Sequence, residues 1–374
     1  MGCQITPLHS LFQEWGAEFM PQGDVLLPVR GPGVGAEYEA ARDGIALFDG
    51  GDRGWIEITG PDTAGFLQRL LSSDVSKLEW GNGQWSAMLD GKGHWVSELL
   101  VYRFAAGPVD IFALDMPYAA LDAVYAHLEK MHFSEDLSWT TYKPARLLLT
   151  GKRARAALVA EKFPVKAIEV KPGKAAFDHL PHGGFGIARD DRGLLFLRRP
   201  DRGVETYEIQ GAPTVVSLIA DRLHQNGAVP SGLAVLDMLR VEAGRPLWGM
   251  DFDSSTTLPE SGEWQRVSLT KGCYTGQEVV ARINTYGEAP RRICRLTFKD
   301  GVRPLRGAEL QNAKGKNMGV VTSWVWSPVR DEPIGLGLIR KKSFEAGEKL
   351  TAILEGVTDG EPVVVDVPDK VVGG

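Results

Sequence analysis

From about residue 290 to its end the chain changes character, and that change constrains the fold more than any other feature. The stretches "RRICRLTFK", "GVVTSWVWS", "PIGLGLIRK", "KLTAILE" and "PVVVDVP" are short and apolar, with Gly and Pro between them. Such runs read as strands closed by tight turns, so residues 291–374 predict an all-β terminal domain, a sandwich or barrel. Cys294 falls at an alternating position in the first run, the place of a small buried hydrophobe.

Upstream the pattern is mixed. "PLHSLFQEWGAEFM" (7–20) carries Leu8, Leu11, Phe12, Trp15 and Phe19 at helical spacing. "GWIEITGP" alternates apolar and polar residues and closes on Gly-Pro, which predicts a strand entering a turn. "TAGFLQRLLSSDV" reads as a helix, "QWSAMLD" and "HWVSELLVYRF" as strands about the turn "GKG", and "AALDAVYAHLEKM" as an amphipathic helix. "TVVSLIADRLHQNG" and "GLAVLDMLRVEAG" predict further helices, with Gly227 and Gly244 as their C-terminal caps. The class is therefore α+β with a β-rich C-terminal domain. At 374 residues the chain exceeds what one core usually serves, so two or three domains are expected.

Composition narrows the function classes. A net charge of −6 disfavours nonspecific nucleic-acid binding, and "RRPDR" (198–202) reads as a solvated turn. No run approaches the roughly 18 apolar residues that span a bilayer, and no secretory signal is expected, so no membrane partner is expected. "MGCQIT" fits the myristoylation template without a polybasic second anchor and reads as a chance match. Three cysteines without C-x-x-C spacing point to a reducing, cytoplasmic setting. His179 and His182 in "HLPH" read as surface loop, and no metal site is expected. "GPGVG" only loosely resembles a phosphate loop: no Lys-Ser end follows, and no strand–helix context is expected.

The chemistry concentrates in "LTKGCYTGQEVVARINTYG" (269–287). "TGQE" reads as a capping box, with Thr275 at the N-cap and Glu278 reaching back to it. That places Cys273 two residues before a helix start, with Lys271 before it and Arg282 beyond it. Both the helix end and the cations favour a thiolate. An inert buried cysteine before a capped helix is the competing reading of the same residues.

"KGCYTGQEVVAR" resembles the signature of YgfZ-like folate-binding proteins, a branch of the glycine-cleavage T-protein (aminomethyltransferase) superfamily. Residues 44–84, the segment "LRVEAGRPLWGMDF" and residues 318–340 resemble other blocks of that superfamily. The resemblance implies three interleaved domains in a ring around a central folate cavity, with a C-terminal β-barrel. The expected division is residues 1–290 as a bipartite folate-binding region, 1–50 with 141–290 and 51–140 apart, followed by the barrel at 291–374. The resemblance also implies tetrahydrofolate or another reduced folate as ligand.

T-proteins place their key acid in an Asp-Asp pair, matched here by Ser97-Glu98; neighbours in a strand face opposite ways, so only one faces the cavity. Their pterin-gripping acid is matched by Val204, with Glu205 beside it and Tyr207 two residues on. Cys273, Lys271 and Glu98 are the expected catalytic residues; Ser97, Glu98, Glu205, Tyr207, Arg240 and Tyr274 are the expected folate contacts. Arg240 and Glu242 of "RVEAG" cannot share one face of a regular helix and otherwise read as a surface pair. Trp248 and Tyr207 offer stacking surface or core packing. The implied function is a tetrahydrofolate-binding accessory protein for iron–sulfur cluster assembly or repair and related tRNA modification, with iron–sulfur proteins as partners. The alternative is a folate-dependent aminomethyltransferase whose partner is a lipoyl-carrier protein.

Overall fold

A computed structural model describes residues 3–106, 108–160, 185–190, 193–199, 203–299, 304–343, 348–353 and 361–366. The chain forms two compact units. The first comprises Met1–Gln68, Asp74–Ser86 and Glu98–Leu236, the second Arg69–Ser73, Ala87–Ser97 and Asp237–Gly374. His179, His182 and Gly2 lie outside the described residues.

The first unit is organised by an eleven-stranded sheet. Ala46–Asp49, Ala145–Thr150, Thr206–Gly211, Leu195–Arg199 and Phe185–Arg189 lie side by side, with Val229–Pro230 outside the first. Asn82–Leu89, Trp95–Ala106, Val109–Pro117, Arg53–Thr59 and Ser138–Tyr142 continue the order. Strand alternation sends Leu147, Leu149, Phe196, Tyr207 and Ile209 to one face. There they pack against Val216, Ala220 and Leu223 of the helix Pro213–Gln225. Each such side chain contributes about 1.5–3 kcal/mol on full burial. The opposite face carries Trp55, Leu100, Tyr102, Phe104, Leu195 and Leu197, and beside them the charges of the candidate site.

Two N-terminal expectations need correction. The helical period over residues 7–20 is realised only in His9–Glu14. Gly16, at φ 82°, ends that helix, and Glu18–Gln22 leaves as a strand paired with Val25–Arg30. Phe19 nevertheless packs on the same core as Leu8 and Phe12, so the apolar spacing reports the destination and not the backbone. The "GPGVG" loop does have a strand–helix context, between Val25–Arg30 and the helix Val34–Asp43. Its anion position is filled by the protein itself. Glu37 accepts from the N–H groups of Gly31 (2.9 Å), Gly33 (3.2 Å) and Gly232 (2.9 Å).

The end of Ala46–Asp49 holds a buried carboxyl. Thr6 Oγ1 donates to Asp49 and the Gly51 N–H donates at 2.9 Å, yet burial outweighs both and pushes its pKa up to about 7. Between the unfolded value near 3.9 and that value the folded chain holds the extra proton, so its stabilising contribution is full below about pH 4. It is lost as pH rises through about 7, a change of up to about 4 kcal/mol. Asp49→Asn is accordingly expected to gain stability relative to the natural chain between pH 5 and pH 8, measured as the difference in urea midpoint at each pH. A difference that stays flat with pH would show that this carboxyl does not titrate in the range.

The second unit contains the closed barrel that the C-terminal pattern predicts. Its order is Arg291–Phe298, Glu332–Arg340, Asn317–Ser327, Glu309–Gln311, Glu348–Ile353 and Glu361–Asp366, closed by pairing of the first with the last. Cys294 points inward, fully buried with Leu296, Phe298, Leu310 and Val321. The "GLGL" glycines serve close approach: a Cβ on Gly335 would stand 2.5 Å from the Ser323 carbonyl oxygen and 2.9 Å from the Phe298 ring. Among the described residues no helix is long and apolar enough to cross a membrane.

Candidate active site

The polar face of the first unit's sheet is built by charges set singly into apolar strands. Trp55 lies opposite Asp115, Asp115 opposite Leu100, and Arg146 opposite Gln210, so register fixes which side chains share the face. Arg53 reaches Glu98 at 2.8 Å and Asp115 at 2.5 Å. Arg146 bridges Asp115 at 2.7 Å and Glu208 at 2.5 Å, and Arg199 pairs with the same two carboxylates. All six side chains are buried. Burial alone would raise the Asp115 pKa, but the guanidinium groups of Arg146, Arg53 and Arg199 hold it down to about 2. The three cations and three anions compensate one another, the condition under which buried charge is tolerated.

Glu98 is the outermost carboxylate of this network and shares its face with Leu100 and Tyr102. Ser97 is also buried but points to the other side of the strand. Glu205 and Tyr207 are not brought to Glu98. Tyr207 lies opposite Leu149 and Arg198 on the other face, where its hydroxyl donates to Glu205, and Glu205 also pairs with Arg198 at 3.4 Å. Burial, and then the Glu205 carboxylate, raise the Tyr207 pKa. These two residues and Val204 line a cavity of about 380 Å³ with Arg42, Lys152 and Arg155.

Arg198 and Arg199, read from sequence as a solvated turn, are buried in the strand Leu195–Arg199. Arg199 is held by Asp115 and Glu208 of the network, whereas Arg198, on the opposite face, pairs with Glu205 just before the strand Thr206–Gly211. Sequence reasoning also missed Arg53, Asp115, Arg146 and Glu208. The signal was there as lone charges inside apolar runs, "ARLLLT" and "FALDMP", but apart from Arg199–Glu208, nine residues apart, the paired residues lie 31 to 84 residues from each other in sequence.

The remaining expected residues belong to the second unit. Arg240 is not a surface residue. It is buried, with Asp237 at 2.7 Å, Asp251 at 2.8 Å and Ser323 Oγ at 2.8 Å, while Glu242 accepts separately from Ser327. Asp251 also accepts from Thr322 (2.5 Å) and Ser323 (2.7 Å), so this node ties the helix Leu233–Glu242 to the barrel strand Asn317–Ser327. Trp248 packs with Trp95 and Phe252.

The expected capping box at Thr275 does not form. The helix runs Gln277–Tyr286 with Gly276 as N-cap at φ 81°, and a Cβ there would meet the Asp90 carbonyl oxygen at 2.5 Å. That close approach fixes the cap as glycine and moves the helix start one residue on. A capping box forms instead at Thr257 and Glu260. Lys271 turns its Nζ to the carbonyls of Leu71 (2.6 Å) and Ser73 (2.7 Å), 5.3 Å from the Tyr274 ring. Tyr274 is buried, which pushes its pKa up to about 12. Cys273 between them is exposed. Among the described residues no group of three or more His, Cys, Asp or Glu is placed to hold a metal ion.

A mixed α/β first unit and a closed β-barrel at the C-terminus define the class of protein. Residues 8–271 match the GCVT N-terminal domain and residues 291–370 the glycine cleavage T-protein C-terminal barrel domain. The chain belongs to the glycine cleavage T-protein family. It is 30% identical over 351 residues to the aminomethyltransferase of Halalkalibacterium halodurans, covering 92% of each chain. It is 31% identical over 350 residues to that of Bacillus licheniformis, covering 90% of this chain and 91% of the other. The fold is shared with the glycine cleavage system aminomethyltransferase T of Bartonella henselae, at a TM-score of 0.86 and 24% identity, over 99% of this chain and 98% of the other.

Proposed function

We propose that the protein is a tetrahydrofolate-dependent aminomethyltransferase, taking a one-carbon unit from an aminomethyl group on a lipoyl-carrier protein and releasing ammonia. The observation that carries this reading is the match along nearly the whole chain to proteins named aminomethyltransferase. A bound reduced folate would supply the nitrogen that accepts the one-carbon unit. The acid then falls to Glu98: it retains the carboxylate of the family's acidic pair, and Arg53 at 2.8 Å fixes its direction. There it would hold the folate nitrogen and stabilise positive charge developing on the transferred carbon. A pterin contact by Glu205 does not fit as the side chains stand, because that carboxylate is engaged by Tyr207 and Arg198. The test is a turnover assay with an aminomethyl-loaded lipoyl carrier and tetrahydrofolate. Equal release of ammonia and methylene-tetrahydrofolate supports the reading; saturable folate binding without product removes it.

One observation favours a second reading, the YgfZ-like accessory protein for iron–sulfur assembly or repair. Cys273 of "KGCY" is exposed, in a loop held by the buried Lys271 and Tyr274. Under the transferase reading Cys273→Ser is expected to leave turnover within about twofold, a barrier change of roughly 0.4 kcal/mol. A cell carrying only that variant would lose iron–sulfur enzyme activity under the second reading and keep it under the first.

A further inference from the structure

A second cavity of about 340 Å³ opens in the first unit at the end of the polar face, with Trp55, Glu57, Lys143, Arg189, Leu195 and Gln210 among its lining. Its volume lies at the lower end of small-molecule sites. Three features of the lining point to what would fill it.

The first is an unanswered acceptor. Gln210 is 1% exposed, and its Nε2 is committed to Glu208 at 2.7 Å, which fixes the orientation of the amide. Its Oε1 is buried and, among the described residues, has no hydrogen-bond partner. Beside it in the lining, the Glu57 carboxylate takes the Trp55 indole N–H on one oxygen only, at 3.1 Å. This part of the wall asks for an N–H donor, preferably a charged one.

The second feature is positive. The Arg189 guanidinium has no side-chain partner among the described residues. Lys143, in the same lining, adds a second positive charge, its ammonium turned to the Gln4 amide and the Tyr118 ring. Ala212 and Pro213 line the same cavity at the start of the thirteen-residue helix Pro213–Gln225, which has no side-chain cap and no acid in its first turn. That helix end favours an anion. The third feature is apolar: the Trp55 indole, Leu195 and the proline rings.

We propose that this cavity binds a zwitterionic α-amino acid with an apolar side chain, its ammonium on Gln210 and Glu57 and its carboxylate at Arg189 and the helix start. A simple carboxylic acid would answer Arg189 but leave the Gln210 oxygen facing apolar matter. A simple amine would do the reverse. Each omission leaves a buried polar group unpaired, which lowers affinity by about tenfold or more.

The inference does not use the transfer reading, because binding is measured without folate or carrier. Calorimetric titration of the full chain with L-leucine, L-methionine and L-phenylalanine is the test. It is repeated with 4-methylpentanoate, which lacks the amino group, and with leucinamide, which lacks the carboxylate. Saturable binding of an amino acid is expected, with each leucine analogue weaker by about tenfold or more. Arg189→Gln is expected to weaken leucine about tenfold and to bring it level with leucinamide. Gln210→Leu is expected to level leucine with 4-methylpentanoate. Should that buried variant fail to fold, Arg189→Gln decides, since its side chain lies outside the ion-pair network. The inference is overturned by no saturable binding of the three amino acids at about 10 mM. It is equally overturned by analogues that bind as tightly as leucine, or by leucine binding that Arg189→Gln leaves unchanged.

Discussion

Asp115→Asn is expected to destabilise the first unit by about 3–5 kcal/mol, read as a lower urea midpoint. Asparagine keeps the shape of the residue and one accepting oxygen. It removes the charge that Arg53, Arg146 and Arg199 share, leaving three buried guanidinium groups against the carboxylates of Glu98 and Glu208. The loss follows from the uncompensated charge left behind, since a balanced buried pair contributes little net stability. Acid should reproduce the effect in the natural chain. With its folded pKa held down to about 2, Asp115 contributes stability that is full above the unfolded value near 3.9 and is lost as pH falls through about 2. The variant should lack that acid limb. A loss below about 1 kcal/mol would mean that water reaches the guanidinium groups and screens them.

The parts of this protein that were legible in its sequence are those governed by local periodicity. The barrel strands announce themselves by alternation and by Gly and Pro at their ends, and Gly227 and Gly244 stand at φ 92° and 67° where the caps were expected. What failed were features decided by distant partners. Thr275 and Glu278 have capping-box spacing, but the contact of Gly276 with the Asp90 carbonyl places the cap one residue later. Lys271 stands two residues from Cys273 in sequence, yet its ammonium is drawn to the carbonyls of Leu71 and Ser73, some 200 residues away in the chain. The ion-pair network is the extreme case. No spacing rule links Arg53 to Asp115 or Arg146 to Glu208, because sheet register makes those pairs.

Glu98→Gln is expected to lower kcat/KM for aminomethyl transfer by about 10²–10³-fold while leaving the folate Kd within about threefold. Glutamine fills the same space and its amide oxygen still accepts from Arg53, so positioning survives and only the negative charge is lost. A charge that acts on a cation present only during transfer should appear in kcat and barely in binding. Ser97→Ala supplies the opposing measurement. Its side chain points to the other side of the strand from the Arg53–Glu98 pair, so turnover should change by no more than about twofold. The two variants together settle which member of the Ser97-Glu98 pair inherits the acid's place. If Ser97→Ala abolished turnover and Glu98→Gln did not, Glu98 would be a structural ion-pair partner alone. The transferase reading would then lose the only carboxylate of that pair.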